Sequence, residues 1–157
     1  MLDDGTLIAP SLSAQQTIVL WASPKTSVGT WVTDFTTLAA FSLSDGVAAS
    51  SISYDFICAG GRYTMDFTHL VGPNRAIYTI NIDGVTVGTV DGYAASFNNV
   101  GLGGGVGATI TAPTLATIVG IGIGAGSHVL TFLLATKNAS SSAYYGCISQ
   151  AVLTRTG

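Results

Sequence analysis

Charge is the property that this sequence most clearly lacks. The 157 residues include no glutamate and only two lysines, and charged residues make up 8% of the chain, whereas they are about a quarter of an average protein. From residue 92 to residue 136 the chain runs without a single charged side chain. Because a lone small domain rarely leaves so much uncharged surface facing water, we predict an obligate homo-oligomer.

Positive charge is scarcer than negative charge. The five cations are scattered, with Arg62, Arg75 and Arg155 far apart in sequence, and the formal net charge is -3. Binding to a phosphate backbone needs a basic face or a basic run, which five scattered cations do not make. We therefore predict no nucleic-acid partner.

No segment has the composition of a membrane-spanning helix. The apolar stretch at 115–135 has the required length, since about 20 residues cross a bilayer. However, glycine occupies every second position from 120 to 126, and each glycine inside a helix costs about 1 kcal/mol. No cluster of lysine or arginine flanks the stretch. We therefore predict a strand and turn there, and no membrane insertion.

The first residues and the cysteines both favour folding in a reducing cytoplasm. The opening MLDD carries neither the positive nor the apolar region of a secretory signal. Cys58 and Cys147 each lie in an apolar, strand-like run, which favours buried, reduced thiols. A disulfide between them stays open as the alternative, and the two cysteines form no zinc motif.

Helical periodicity is missing as well. No window sustains an apolar stripe at helical spacing. Instead, short segments rich in Val, Ile, Thr, Phe and Tyr are separated by Gly, Pro, Asn, Asp or Ser about every 8 to 12 residues. This spacing predicts an all-β protein, either an antiparallel sandwich or a barrel. We assign a single domain to residues 17–157 and an irregular N-terminal arm to residues 1–16.

The clearest local signal is a hairpin centred on Asp83 and Gly84. Residues 78–82 alternate apolar and polar side chains before this pair, and valines alternate after it. Asp-Gly favours the positive φ angles that a two-residue hairpin turn needs. Upstream, residues 63–68 also alternate, which indicates a strand with one buried and one solvated face.

The candidate strands at 116–123 and 128–135 carry apolar side chains on both faces, as residues 128–135 illustrate. One face of a sandwich strand is covered by the core, so the other face needs cover from a second subunit. We therefore assign the oligomer interface to four apolar residues of these strands, Val129, Leu133, Ile121 and Ile123.

No residue pattern indicates catalysis, a cofactor or a metal. The glycine-rich stretch at 101–107, in a long predicted loop at 94–112, lacks the Gly-Lys-Ser/Thr sequence of a phosphate loop. Asp45, Asp83 and Asp91 each precede glycine in predicted turns, and the aspartates lack calcium-loop spacing. His69 and His128 lie in no nucleophile motif and are interpreted as core or interface residues. We predict no catalytic, cofactor-binding or metal-binding residues, and a glycosidase pair of carboxylates is the enzymatic alternative.

Aromatic side chains are the remaining indication of a function. Glycan sites place aromatic faces beside polar groups. The candidates for glycan or partner contact are Trp21, Trp31, Tyr93, Tyr144 and Tyr145. Core packing is the alternative for the same five residues, and the two interpretations differ in how much of each ring stays exposed.

The order of several segments is similar to that of a known group of proteins. The segments are YTMDF at 63–67, IYTINIDG at 77–84, VDGY at 90–93, AGSHVL at 125–130 and KNASSSAYY at 137–145. Over residues 51–154 the chain resembles the jelly-roll modules of phage fibres, head fibres and decoration proteins, and more distantly carbohydrate-binding modules. The resemblance implies an antiparallel jelly-roll β-sandwich in a homotrimeric virion protein.

Two non-enzymatic functions follow from the resemblance. No fibrous shaft or heptad repeat is present, which favours a capsid decoration, or cement, protein. Such a homotrimer would bind the major capsid protein of the virion and stabilise the assembled shell. The alternative is a receptor-binding module at the tip of a head fibre or tail fibre, which binds a glycan of the host surface.

Overall fold

Strands form the regular structure of the chain. The computed structural model describes residues 15–20, 24–35, 40–96, 99–100, 109–110 and 114–157. Within these ranges there are thirteen strands and no helix, and hence no helix long and apolar enough to cross a membrane. The strands are β1 Gln15–Val19, β2 Thr26–Val28, β3 Trp31–Phe35, β4 Ala40–Ser44, β5 Ser50–Cys58, β6 Gly61–His69, β7 Ala76–Ile82, β8 Val85–Asp91, β9 Asn99–Val100, β10 Thr109–Ile110, β11 Thr114–Ile123, β12 Gly126–Lys137 and β13 Cys147–Arg155. The all-β prediction is confirmed.

The strands form two antiparallel sheets. The six-stranded sheet has the order β11-β6-β13-β4-β3, with β1 also paired to β13, and the five-stranded sheet has the order β2-β5-β12-β7-β8. β9 and β10 pair with each other. The chain repeatedly changes sheet, from β5 to β6, from β6 to β7 and from β11 to β12, as it does in a jelly roll. The predicted antiparallel jelly-roll β-sandwich is confirmed.

The core between the two sheets follows from the two-residue period of the strands. In β6, Tyr63, Met65 and Phe67 are fully buried, whereas the residues between them are only half-buried. Phe67 meets Phe132 of the facing sheet with ring centroids 5.5 Å apart. Removing each such side chain from water contributes about 1.5–3 kcal/mol. The strand predicted at 63–68 therefore has the expected buried and solvated faces.

The hairpin at Asp83 and Gly84 is confirmed. β7 and β8 pair across these two residues, which have φ angles of 51° and 81°. Both angles lie in the left-handed region that aspartate tolerates and glycine readily adopts. The local sequence therefore determines this turn.

Two of the four predicted interface residues lie in the core instead. Ile121 and Ile123 are 4% and 7% exposed. A bulge shifts the pairing of β11 with β6 between Ile118 and Ile121, and the extra residue turns the later side chains inward. Val129 and Leu133 alternate with core residues of β12 and are half-buried. An interface at that outer face stays a prediction.

Two strand boundaries differ from those expected from the sequence. β1 begins at Gln15, so the last two residues of the expected arm at 1–16 belong to a strand, and residues 1–14 lie outside the described residues. The composition of residues 144–154 predicts one strand over that whole range, but β13 begins at Cys147, so Tyr144 and Tyr145 lie in the connection before it. Strand pairing rather than local composition decides where a strand begins.

The expected loop at 94–112 is only partly described. Its residues 99–100 and 109–110 form the short β9–β10 pair. The glycine-rich stretch at 101–107 lies outside the described residues. The segment therefore contains some regular structure that its composition does not indicate.

Both cysteines are buried thiols, as expected. Cys58 lies at the end of β5, with its sulfur 3.6 Å from the carbonyl oxygen of Gly124, and burial raises the pKa of the thiol. Cys147 belongs to a separate apolar cluster with Phe41, Leu43 and Leu70. The two thiols thus lie in different parts of the apolar interior.

Candidate functional site

The connections between strands divide the sandwich into two ends. At one end, here called the turn end, three connections are two residues long, at 59–60, 83–84 and 124–125. At the opposite end, here called the loop end, the start of β3 lies among longer connections, at 45–49, 70–75 and 138–146. Because binding residues concentrate on loops that a rigid scaffold positions, the loop end is the candidate site.

Trp31, Tyr144 and Tyr145 come together at the loop end around two glycines. Tyr144 donates its backbone N–H to the carbonyl oxygen of Gly46 at 3.2 Å. A Cβ atom on Gly46 would lie 2.7 Å from the Tyr145 ring, and one on Gly146 would lie 3.1 Å from the Trp31 ring. Neither glycine leaves ordinary room for a side chain, so the backbone packs directly against these rings.

Asp45 joins the two connections that position Trp31. One carboxylate oxygen accepts the backbone N–H of Thr30 at 2.8 Å. The other accepts the Ser50 hydroxyl at 2.9 Å and the Val47 N–H at 3.2 Å. The hydrogen bond from Thr30 is the largest cause that holds the pKa of Asp45 below its ordinary value. The carboxylate is therefore charged at neutral pH and fixes the residue that precedes Trp31.

Tyr93 joins the same end through Asp91. The Asp91 carboxylate accepts the backbone N–H of Tyr93 at 2.8 Å and the side-chain amide of Asn138 at 2.7 Å. Tyr93 and Tyr145 form β-bridges to opposite ends of the segment 72–75. The two tyrosines therefore flank one short segment, and Asp91 ties that arrangement to the connection before β13.

Lys137 places a positive charge beside Tyr144. Its ammonium lies 5.7 Å from the centroid of the Tyr144 ring and donates to the carbonyl oxygen of Ser141. The Ser141 hydroxyl in turn donates to the carbonyl oxygen of Arg75 at 2.8 Å. Since a cation is attracted to the face of an aromatic ring, the position of the Tyr144 ring is coupled to the conformation of this connection.

The loop end thus presents aromatic rings beside polar groups of several kinds. The four described aromatic candidates are half-buried, so the fold holds each ring and leaves part of it exposed: Trp31, Tyr93, Tyr144 and Tyr145. Asp91, Asn138 and Lys137 add a carboxylate, an amide and an ammonium. This set of groups can stack on the apolar face of a sugar ring and hydrogen-bond to its hydroxyl groups.

Sequence reasoning names the aromatic residues but misses their polar neighbours. Trp21 lies outside the described residues, whereas the other four candidates lie at one end. The sequence interprets Asp91 as a turn residue because Gly92 follows it. Its partner Asn138 is 47 positions away, and no local pattern marks such a pair. The available signal was the carboxylate two residues before the candidate Tyr93.

At the turn end, a histidine lies between two of the two-residue turns. The Nδ1 atom of His128 lies 2.6 Å from the carboxylate of Asp83, and its Nε2 atom lies 3.0 Å from the carbonyl oxygen of Gly124. The other oxygen of Asp83 accepts the backbone N–H of Val129 at 2.8 Å. The hydrogen bond with His128 is the main cause that lowers the pKa of Asp83. His128 is therefore a structural link between two tight turns.

His69 is a core residue, as the sequence predicts. It is 1% exposed, and its ring centroid lies 5.0 Å from that of Phe67 and 5.5 Å from that of Tyr78. Burial, with a smaller effect from Arg75, lowers the pKa of His69 to about 4. The imidazole is therefore neutral at pH 7 and shielded from any substrate.

A cleft of about 410 Å³ opens on the side of the sandwich between β1 and β5. Lys25 and Asp55 form an ion pair at 2.9 Å on its wall, and both side chains are well exposed. The aromatic residues that line it, Tyr54 and Phe56, are themselves buried. An exposed ion pair contributes little free energy, and the rings that line the cleft among the described residues are buried. The loop end is therefore the better candidate.

The aspartates at the two ends of the sandwich form separate sets of hydrogen bonds. Asp45 and Asp91 bind groups of the loop end, and Asp83 binds groups of the turn end. In the part of the chain that the structure describes, no three His, Cys, Asp or Glu side chains cluster closely enough to hold a metal ion. The polar groups described above hold the loops together and border the aromatic rings.

The comparisons with known proteins identify a fold. No family model matches the sequence, and no curated protein matches it. A solved Paenibacillus xanthan lyase aligns with 98% of this chain at a TM-score of 0.73 and 18% identity. The CBM36-1 domain of a multidomain xylanase from the hindgut metagenome of Trinervitermes trinervoides aligns with 91% of it at a TM-score of 0.62 and 16% identity. A family 35 carbohydrate-binding module from Clostridium thermocellum aligns with 90% at a TM-score of 0.58 and 14% identity.

These likenesses differ in how much of the known protein they cover. The chain spans 14% of the length of the lyase, but 98% of the xylanase domain and 99% of the family 35 module. At such low identity the likeness shows the fold alone, because one fold hosts many functions. The sandwich of this chain is therefore built like a carbohydrate-binding module over almost its whole length.

Proposed function

We propose that the chain is a non-catalytic glycan-binding module and that its loop end binds the sugar. The observation that carries the proposal is the gathering of four half-buried aromatic rings with an exposed carboxylate, an amide and an ammonium at one end of a rigid sandwich. The rings come from three separate segments of the chain, and the hydrogen bonds of two aspartates hold those segments in place. The fold of the neighbouring carbohydrate-binding modules supports the proposal.

Recognition of the sugar would combine stacking on aromatic rings with hydrogen bonds to polar groups. The C–H groups on one face of a pyranose stack on an aromatic ring, while the sugar hydroxyls bond to polar groups beside it. The carboxylate of Asp91 accepts hydrogen bonds, the amide of Asn138 both donates and accepts, and the ammonium of Lys137 donates. Because the rings are already packed against the protein, little conformational entropy is lost on binding.

The ligands and sources of the structurally similar proteins suggest a class of polymer to test first. One carbohydrate-binding module of similar fold is solved with calcium and xylotriose, and other neighbours belong to a xylanase and a xanthan lyase. We therefore propose a polysaccharide such as xylan or xanthan as the ligand, with xylotriose as the first small probe.

Isothermal titration calorimetry with xylotriose, soluble xylan and xanthan tests the proposal. We expect saturable binding of at least one of them. Tyr144→Ala should weaken that binding about tenfold, because one aromatic contact contributes roughly 0.5–1.5 kcal/mol beyond its buried area. Val85→Ala is the matched control, since this exposed side chain lies beside the tight turn at 83–84 and its loss should not change affinity.

Two results would contradict the glycan proposal. One is the absence of binding to these polymers and to every member of a broad glycan array. The other is unchanged affinity in a Tyr144→Ala variant that has the circular dichroism spectrum of the native chain. Equal weakening by Tyr144→Ala and Val85→Ala would remove the assignment to the loop end.

A capsid decoration role is the second candidate function. The observation that favours it is the uncharged run from 92 to 136, which suits a surface covered by other subunits. A homotrimer bound to the major capsid protein would raise the temperature at which particles burst. Heating particles with and without the protein tests this role, and equal rupture temperatures would reject it. A receptor-binding fibre tip would instead use the loop end to bind a host glycan.

A further inference from the structure

In the part of the chain that the structure describes, the strand β11 forms one edge of the six-stranded sheet, and it carries no charge that would discourage pairing with another chain. Among the described residues, β6 is the strand that pairs with β11. The ten residues of β11 include no charged residue and no proline. An edge of this kind presents a row of backbone N–H and C=O groups that another strand can pair with.

The other edges of the two sheets are shorter or carry charge. β2 has three residues and follows Pro24 and Lys25. β8 ends at Asp91 and contains a register shift. β3 has five residues, which include Asp34, and β1 has five residues beside the Lys25–Asp55 ion pair. Short strands, edge charges and bulges all discourage pairing with another chain. β11 also contains a bulge, but it is the longest of these edge strands and carries no charge.

The outer face of β11 is apolar as well as uncharged. Leu115 is 63% exposed and Val119 is 73% exposed, the largest value among the large apolar side chains that the structure describes. Thr117 lies midway between them, and its hydroxyl donates to the carboxylate of Asp66 in the neighbouring strand at 2.5 Å. The pairing of β11 with β6 is regular as far as Ile118. The segment 115–119 therefore comprises the end of this regular part and Val119, the first residue of the bulge.

We propose that β11 pairs antiparallel with β11 of a second copy of this chain, around a two-fold axis at Thr117. In this register, Leu115 of each copy lies opposite Val119 of the other, and the two Thr117 residues lie opposite each other. Both exposed apolar side chains then gain an apolar neighbour across the strands. The arrangement is a closed, isologous dimer in which the six-stranded sheets of both copies become continuous.

The two-fold axis also determines how the two loop ends are arranged. Antiparallel pairing reverses the strand direction, so the loop ends of the two copies face opposite directions. If the loop end binds a glycan as proposed, the dimer links two polysaccharide chains and does not clamp a single one. The dimer itself rests on β11 and is independent of glycan binding.

Sedimentation velocity of the full chain over a range of concentrations tests the dimer. We expect the native protein to shift from 15.9 kDa towards about twice that mass as concentration rises to roughly 100 μM. Val119→Lys should remain a monomer, because it places two ammonium groups in the paired edge. Val85→Lys, an equally exposed position on the edge strand β8, is the matched control and should dimerise like the native chain.

A cysteine crosslink tests the register without relying on a charged variant. Residues directly opposite in an antiparallel pair are close enough for a disulfide, so Thr117→Cys should form a covalent dimer on mild oxidation. Thr89→Cys on the other sheet should not. A native chain that stays at 15.9 kDa, a dimer that persists in Val119→Lys, or equal crosslinking of both cysteine variants would overturn the proposal. A concentration-dependent trimer would overturn it too.

Discussion

The two ends of the sandwich are built from the same strands but held by different kinds of interaction. At the turn end, two-residue connections close the sheets, and Asp83 and His128 join neighbouring turns. At the loop end, Asp45 and Asp91 bind groups from other connections, and backbone passes directly beneath aromatic rings. The turn end is thus determined by local geometry, whereas the loop end depends on contacts between distant parts of the chain and leaves part of each aromatic ring exposed.

Gly46→Ala at the loop end should have the largest effect. Gly46 has a φ of 77°, and an added Cβ would lie 2.7 Å from the Tyr145 ring. Left-handed strain costs roughly 1–2 kcal/mol, and displacing a packed ring costs roughly 1–3 kcal/mol more. We expect unfolding in urea to reveal a loss of about 2 to 5 kcal/mol, together with weaker glycan binding. A loss well under 1 kcal/mol would contradict the close packing of Tyr145.

Lowering the pH should have the next largest effect on stability, because the buried His69, the last residue of β6, stays neutral only in the folded protein. Its pKa is about 4 in the folded protein, below the ordinary value of 6.5 that applies to the unfolded chain, so the unfolded chain takes up the proton first. Stability is therefore lost as the pH falls from about 6.5 towards 4. Lowering the pH from 7 to 5 should reduce the free energy of unfolding by about 2 kcal/mol through this group. In His69→Leu, the free energy of unfolding measured in urea should lose most of that pH dependence. An undiminished dependence would contradict the role of His69.

Gly84→Ala is the matched change at the turn end and should cost less than Gly46→Ala. Gly84 has a φ of 81°, close to that of Gly46, but an added Cβ would meet no atom within 4 Å. Only the backbone strain remains, so urea unfolding should show a loss of about 1 kcal/mol. Glycan affinity should be unchanged. Equal losses for the two alanine variants would remove the distinction between the ends.

Asp83→Asn should have the smallest effect. The Asp83 carboxylate is exposed, and its hydrogen bond with His128 lowers its pKa. The charged carboxylate therefore stabilises the fold at pH values above the ordinary pKa of an aspartate. That contribution is lost as the pH falls through the lowered pKa of the folded state. Thermal unfolding at pH 7 should show a slight decrease in Tm that shrinks in high salt. A decrease in Tm larger than the one that Gly84→Ala causes in the same thermal experiment would contradict a minor role for this hydrogen bond.

Local sequence predicts the features that depend on neighbouring residues. Asp83 and Gly84 determine their turn because few residues tolerate its φ angles, and the alternation in β6 determines its buried face. Ile121 shows the limit of this reasoning. Simple alternation along β11 does not reveal the bulge that turns its side chain inward, because a bulge is defined by the partner strand.

The candidate site is predicted only in part for the same reason. Tyr144 and Tyr145 are recognisable as aromatic residues in a polar segment, but the sequence places them inside a strand and does not reveal Gly46 beneath them. The bond between Asp91 and Asn138 joins two connections that no sequence period relates. Tertiary packing therefore creates the site from residues whose individual patterns indicate turns and strands.

The most direct test of the central claim is a two-dimensional 1H–15N NMR titration with xylotriose, or with the best ligand from a glycan array. The chain has two tryptophans, so two indole N–H signals are expected, and Trp31→Phe assigns them. If the loop end binds the sugar, the Trp31 signal moves saturably while the backbone amides of Gly84 and Val129 at the turn end stay in place. Shifts confined to Gly84 and Val129, with Trp31 unmoved, would contradict the claim.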